Sequence, residues 1–327
     1  MCVKLKIAVS SQLCSNTFFD IATKHIEVIF RMIIKSNNLR GALFMSISMF
    51  GYVSNDAIMK LVAPQIGLGQ SIFVRGIFCS IFLIIVLWLM GINFEQCKPD
   101  LKKVFFRSFF DLIATILFLT ALLNMPFANV NAILQALPLA VTIAASIFLK
   151  ETFGRKRAFA IILGLVGVLL IIKPGTVGFN AYSILAIGAV LSVVFRDLIT
   201  RKMSKKTPAI FVSLVTSLVV TSSTGLYVIL NQTWHQLDLY LVLSLALSGT
   251  FLMTGYFFSV EAMRYGSVAF VSPFRYTLMI WALIIGFFVF GDIPDYLSLV
   301  GIFLVIFTGL FTLYREAILK EKSVQNT

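Results

Sequence analysis

The sequence predicts an all-α membrane protein with ten transmembrane helices, arranged as two inverted five-helix repeats. Three observations predict it. Of 327 residues, 59% are hydrophobic and 13% charged, with a mean hydropathy of +0.97. A soluble domain carries about 25% charged residues, so this chain lacks the polar residues to cover itself in water. Apolar stretches near the ~20 residues that cross a hydrocarbon core recur from residue 41 onwards. The two halves of the chain also echo each other, at an offset of about 140 residues.

In chain order the first five apolar stretches are 41–62, 69–90, 104–123, 128–149 and a shorter 158–172. Five more cover 181–199, 210–230, 239–258, 268–290 and 296–313. Their lengths fit helices, whereas a membrane barrel would show alternating strands of about ten residues. Short turns such as Lys173-Pro174-Gly175 connect them.

Basic residues set the orientation, because short loops rich in Lys and Arg stay cytoplasmic. The segment before the first span, the second, fourth, sixth and eighth connections and the tail together hold 21 of the 27 Lys and Arg residues. Lys173 alone falls on the other side, and Lys60, Arg75, Arg107, Arg196 and Arg275 lie within spans. Both termini are expected in the cytoplasm of a bacterium, with the bundle in its inner membrane. The net charge of +13 follows from this arrangement, and no nucleic-acid partner is expected.

The expected organisation is a cytoplasmic N-terminal segment over 1–39, a first repeat over 40–173, a second over 174–316 and a cytoplasmic tail over 317–327. No signal peptide is expected at Lys4 and Lys6. Met32 serves equally well as the start, and the competing reading is an amphipathic surface helix over 18–34. Asn231-Gln232-Thr233 matches a glycosylation sequon and is read as chance.

The composition also removes most enzyme classes. His25 and His235 are the sole histidines, and Cys2, Cys14, Cys79 and Cys97 show no metal-ligand spacing. Phosphate-loop, dinucleotide, zinc-protease and serine-hydrolase motifs are missing from the sequence. No catalytic residue, metal or cofactor is therefore expected.

At an offset of 141 residues Asp56 lies over Asp197, Lys60 over Arg201, Ala128 over Ala269 and Glu151 over Asp292. Near the second span the offset becomes 138, with Ile72-Phe73-Val74 over Ile210-Phe211-Val212. Five spans per half is an odd number, so the second half must enter from the opposite face, the plan of many secondary transporters.

Several segments carry a resemblance to a known family. They are Asn55-Asp56-Ala57-Ile58-Met59-Lys60, Gly69-Gln70 with Arg75-Gly76, Gln135-Ala136-Leu137-Pro138, Glu151, and Pro273-Phe274-Arg275-Tyr276 followed by Gly291-Asp292. Over about residues 40–316 the chain resembles the EamA-type members of the drug/metabolite transporter superfamily. The Pro-Phe-Arg-Tyr segment is similar to alphaproteobacterial members, which include S-adenosylmethionine uptake carriers. Asp292 stands where many relatives have Glu, which keeps the charge. The resemblance implies a ten-helix carrier of small metabolites.

A charged side chain at bilayer depth costs at least ~2.5 kcal/mol on insertion scales, so each embedded charge calls for a partner or a role. Asp56 and Lys60, like Asp197 and Arg201, are four residues apart and are expected to pair along one helix face as structural clasps or gates. Lys60 can also reach the interface. Asp111 is expected to pair with Arg107 or carry a coupling proton. Glu151 and Asp292 are expected to orient the following helix.

Residues that break the repeat are the better candidates for solute recognition, because a solute is asymmetric. Arg75 lies over Ser213, and Arg275 and Tyr276 lie over Leu134 and Gln135. Arg275 either holds a carboxylate or phosphate through two parallel hydrogen bonds or pairs internally with Asp56 or Asp111. Tyr276 and Trp281 either stack on a flat ring or pack. Asn131 and Gln135 share a helix face and either line a solute path or bond neighbouring helices.

The expected function is secondary transport of a small polar organic metabolite by alternating access, with S-adenosylmethionine or another carboxylate-bearing solute as cargo. The alternative is a membrane-embedded lipid-handling enzyme or flippase. The expected partners are that metabolite and the lipid bilayer, with homodimerisation left open.

Overall fold

The structure is a computed structural model that describes residues 37–90, 100–149, 155–173, 180–204, 207–231, 234–265 and 271–325. The expectations for residues 1–36, for Glu151 and for Gln232 and Thr233 of the sequon lie outside the described residues.

Among the described residues the regular elements are all helical. The first half holds α1 (Asn37–Ile66), α2 (Leu68–Leu89), α3 (Leu101–Asn124), α4 (Phe127–Leu134), α5 (Leu137–Leu149) and α6 (Arg155–Ile172). The second holds α7 (Tyr182–Arg201), α8 (Ala209–Leu230), α9 (Leu239–Tyr265), a 3₁₀ turn at Ser272–Tyr276, α10 (Thr277–Phe290) and α11 (Tyr296–Gln325). Five helices, α2, α3 and most of α7, α8 and α9, are long and apolar enough to span a bilayer unaided. With the shorter and broken pieces the chain makes ten passes.

Two expected spans are broken where a continuous helix was expected. The stretch 128–149 divides into α4 and α5, because Pro138 has no N–H for the Leu134 carbonyl four residues earlier. The chain tightens there: Gln135 and Ala136 donate three residues back, to the carbonyls of Ala132 and Ile133 at 3.1 Å each. Within 268–290 the Pro273 segment forms the 3₁₀ turn before α10 begins. At the offset of 141 the two breaks coincide, Gln135 with Tyr276. The end of the chain differs as well, since α11 continues to Gln325 through most of the expected 317–327 tail.

Packing follows the repeat. Helix α1 runs along α9, and their repeat counterparts α7 and α3 run along each other. Helices α2 and α8 pair across the pseudo-two-fold, as do α6 and α11. Close approach needs small residues: a Cβ at Gly51 would stand 2.8 Å from the Phe251 carbonyl oxygen of α9. The α1–α2 turn is a single residue, Gly67, at φ 82°, a backbone region that glycine enters without steric cost.

Val53, Met59, Phe127, Ile133, Ala186 and Met279 belong to one apolar core joining both halves. The outer surface is also apolar, with Trp88, Phe288 and Phe303 exposed, as lipid-facing residues should be.

Candidate functional site

A small, partly open cavity lies between α2, α3, α8 and α9. Each helix supplies residues at helical spacing: Ile72, Arg75, Gly76 and Cys79 from α2, Asp111 and Thr115 from α3, and Leu252 and Tyr256 from α9. Helix α8 adds Thr216, Ser217, Val220 and Thr221. Hydroxyls, a thiol, a guanidinium and a carboxylate therefore line one cavity.

Arg75 is 6% exposed. Its Nη1 donates to Asn55 Oδ1 at 3.1 Å, and the same oxygen accepts from Ser248 at 2.8 Å. Asn55 in turn donates to Asp56 at 2.9 Å. This chain ties α1, α2 and α9 together, yet Arg75 Nε has no hydrogen-bond partner among the described residues.

Across the cavity Asp111 accepts from Arg196 Nη1 at 2.7 Å. Arg196 also holds the adjacent Asp197 through Nη2 at 2.9 Å. The expected Asp111–Arg107 pair does not form. Arg107 donates instead to Thr200 and Thr216, at 3.2 and 2.6 Å. The reason is geometric: Arg196 projects from α7, which lies along α3, and so reaches the carboxylate from the neighbouring helix. Tyr52 and Tyr256 meet edge to face at 5.7 Å, within the field of Asp111 and Arg107.

Of the residues expected to recognise the solute, the structure brings Arg75 into this cavity, and Asp111, the candidate for a coupling proton, lines it too. Arg275 is exposed, and its backbone carbonyl accepts from the Gln135 side chain at 3.4 Å, which links the two helix breaks. Tyr276 is 5% exposed, with no partner for its hydroxyl among the described residues. Asn131 is buried and bonds its own helix at the Phe127 carbonyl, 2.9 Å away, while its Oδ1 is unpartnered among the described residues.

The expected clasps are rearranged. Among the described residues no ion pair joins Asp56 to Lys60; Asp56 is taken by Asn55, and Lys60 donates to the Met125 carbonyl while standing 5.2 Å over the Phe290 ring. Asp197 takes Arg196, and the Arg201 side chain lies outside the described residues. Asp292 orients α4 rather than the helix that follows it, accepting from the Phe127 amide at 2.7 Å, where the helix dipole favours a carboxylate.

Both ends of the bundle carry contacts between the halves. At the end where α2 begins, Gln70 and the His235 backbone exchange two hydrogen bonds at 2.8 Å each, and Lys173 pairs with Asp295 at 2.6 Å. At the opposite end Asp100 accepts from Lys103, the Ser204 amide and the Thr207 hydroxyl, at 2.8, 2.7 and 2.8 Å. These donors hold the Asp100 carboxyl down to about 2.

The EamA-like transporter family matches residues 39–173 and 180–314. The chain belongs to that family. Among relatives of this EamA-like protein, an S-adenosylmethionine uptake transporter of Rickettsia prowazekii (strain Madrid E) is 26% identical over 283 residues, 85% of this chain and 94% of that one. A riboflavin transporter of Vibrio cholerae serotype O1 is 25% identical over 269 residues, 80% of this chain and 89% of its own. One solved crystal structure superposes with a TM-score of 0.61 at 12% identity, covering 83% of this chain and 95% of that one, a likeness of fold.

Sequence reasoning passed over several residues of this EamA-like cavity: Cys79, Thr115, Thr216, Ser217 and Tyr256. A signal existed for two of them. Stepping four residues along the helix from Arg75 and from Asp111 reaches Cys79 and Thr115. The α8 and α9 residues depend on which helices pair, and no local spacing encodes that.

Proposed function

We propose that this EamA-like protein is a secondary carrier that moves a small polar organic metabolite bearing a carboxylate, by alternating access, in a bacterial inner membrane with both termini cytoplasmic. The repeats, 40–173 and 174–316, rock about the cavity while the contacts at its two ends form and break in turn. The relatives' cargoes make S-adenosylmethionine the first solute to test and riboflavin a second.

One observation carries the reading: the buried Arg75 guanidinium lines the cavity with Nε unpartnered among the described residues. A guanidinium at bilayer depth is costly, and its planar donors suit a carboxylate.

Melting of the purified carrier against S-adenosylmethionine, amino acids, nucleotides, flavins and dicarboxylates tests it. A ligand at a hundred times its Kd adds ~2.7 kcal/mol of stability. A hit lost in Arg75→Ala and partly kept in Arg75→Lys is expected; a hit unaltered by both moves the site elsewhere.

A further inference from the structure

The outer face of α3 and α7, turned away from the cavity, carries a pattern that lipid contact alone does not require. On α3, Lys102, Phe105, Phe106 and Phe109 are exposed and, three, four and seven residues from the lysine, share one stripe along the helix. That stripe is about 10 Å long at 1.5 Å per residue. On α7, Phe195 and the C-cap residue Lys202 are exposed and lie two turns apart, a second stripe with its lysine at the same end. The stripes meet where Phe110 stacks on Phe195, ring centroids 5.3 Å apart. Phe148 of α5 closes the edge against Phe195 at 6.0 Å.

Three lysines gather at this end, and they are held differently. Lys103 is occupied: its Nζ bonds Asp100 at 2.8 Å and the Lys202 carbonyl at 2.9 Å, which fixes the two helix ends beside each other. Lys102 and Lys202 have no ion pair or hydrogen bond from their ammonium groups among the described residues. Two uncompensated cations therefore stand at the edge of a continuous aromatic surface.

Topology asks only for basic residues somewhere in these connections, and solvation by lipid asks only for apolar side chains. The other repeat shows what that minimum looks like. At the offset of 141, Lys102, Phe105, Phe106 and Phe109 lie over Leu243, Ala246, Leu247 and Thr250, and Phe195 and Lys202 over Ser54 and Leu61. The cationic aromatic face thus belongs to one end of the bundle and is no by-product of the duplicated scaffold. A phospholipid of net negative charge complements it, whereas a zwitterionic one brings an ammonium group that the two lysines repel. Basic surfaces between transmembrane helices hold anionic headgroups in this way. We infer that the α3–α7 face docks an anionic phospholipid, with its headgroup phosphate on Lys102 and Lys202 and its acyl chains along Phe105, Phe109 and Phe195.

Melting of the full-length carrier, titrated in mixed micelles with phosphatidylglycerol or phosphatidylcholine, tests this. Phosphatidylglycerol is expected to raise the melting temperature at a concentration about tenfold or more lower than phosphatidylcholine, because each Lys beside an anionic headgroup is worth about fivefold. Lys102→Gln and Lys202→Gln should each weaken the response to phosphatidylglycerol by about that fivefold factor, and the double variant should lose the preference. Replacing both lysines by arginine should keep it, which separates charge from folding. Lys320→Gln with Lys322→Gln removes the same charge from the tail and should leave the preference unchanged.

A preference that survives loss of both Lys102 and Lys202, or that the tail variant loses equally, overturns the inference, since lipid then answers to the net charge of +13 and not to a site. Phosphatidylcholine acting as well as phosphatidylglycerol also overturns it and makes the face ordinary lipid contact. A shift reproduced by glycerol 3-phosphate, and lost with Lys102 and Lys202, replaces the lipid by a soluble anion and overturns the docking surface. The carrier reading stands or falls separately, on the solute panel and Arg75.

Discussion

Arg196 on α7 reaches across to Asp111 on α3, Nη1 to Oδ1 at 2.7 Å, and in doing so bridges the two halves of the bundle. The same guanidinium holds Asp197. Removing it would strand the buried Asp111 carboxylate beside the partly exposed Asp197. Arg196→Gln is therefore expected to destabilise the carrier by about 3–5 kcal/mol, the usual cost of breaking a buried pair from one side. Adding Asp111→Asn should return part of that loss, because the stranded charge is then gone. Melting of the single and double variants in detergent checks this; additive losses would mean that the two residues do not share a charge balance.

The end contacts of the bundle differ in chemistry, and that difference is measurable. Asp100 is held down to about 2 by Lys103, the Ser204 amide and the Thr207 hydroxyl. A carboxyl with a lowered folded-state value contributes stability above its unfolded value near 4 and loses it as pH falls towards 2. The melting difference between wild type and Asp100→Asn should thus be level from pH 7 to about pH 5, shrink below 4 and vanish near 2. Gln70 exchanges neutral hydrogen bonds with the His235 backbone. Gln70→Leu should cost the same at every pH in that window, so a pH-dependent cost there would contradict the neutral-clasp account.

Gln135 donates to the Arg275 carbonyl, joining the 3₁₀ tightening after α4 to the 3₁₀ turn before α10. Interhelical hydrogen bonds in membrane bundles average about 0.6 kcal/mol. Gln135→Ala should accordingly lower stability by roughly that amount, while transport falls further, because the link connects the two broken spans. Parallel melting and uptake measurements decide it: equal losses in both would make Gln135 an ordinary packing residue.

These residues also mark how far the sequence reaches. Apolar windows located ten passes because lipid imposes one length on every crossing segment. The offset of 141 exposed the repeat because duplicated helices keep their embedded charges, as Asp56 and Asp197 do. Side-chain pairing was less legible. Reading spacing along one helix joined Asp56 to Lys60 and Asp111 to Arg107, yet Asp111 found its partner on α7, 85 residues away. Pro138 and Pro273 both stood in the sequence as break signals, but an apolar run around a proline has the composition of an unbroken span. The cavity required four helices at once, and in the sequence only two embedded charges pointed to it, Arg75, which has no counterpart in the other repeat, and Asp111.

Tyr276 and Gly309 make the most exposed prediction, since a Cβ placed on Gly309 would overlap the Tyr276 hydroxyl. That hydroxyl is buried without a hydrogen-bond partner among the described residues, a state that costs about 1–3 kcal/mol. Tyr276→Phe should therefore be neutral or stabilising. Gly309→Ala alone should lose about 1–3 kcal/mol through overpacking, and Gly309→Ala combined with Tyr276→Phe should lose less. Transport by Tyr276→Phe then decides between the two roles open to this residue. Unchanged uptake makes the ring a packing element between the 3₁₀ turn and α11, whereas weakened solute affinity at undiminished stability would put the hydroxyl on the solute.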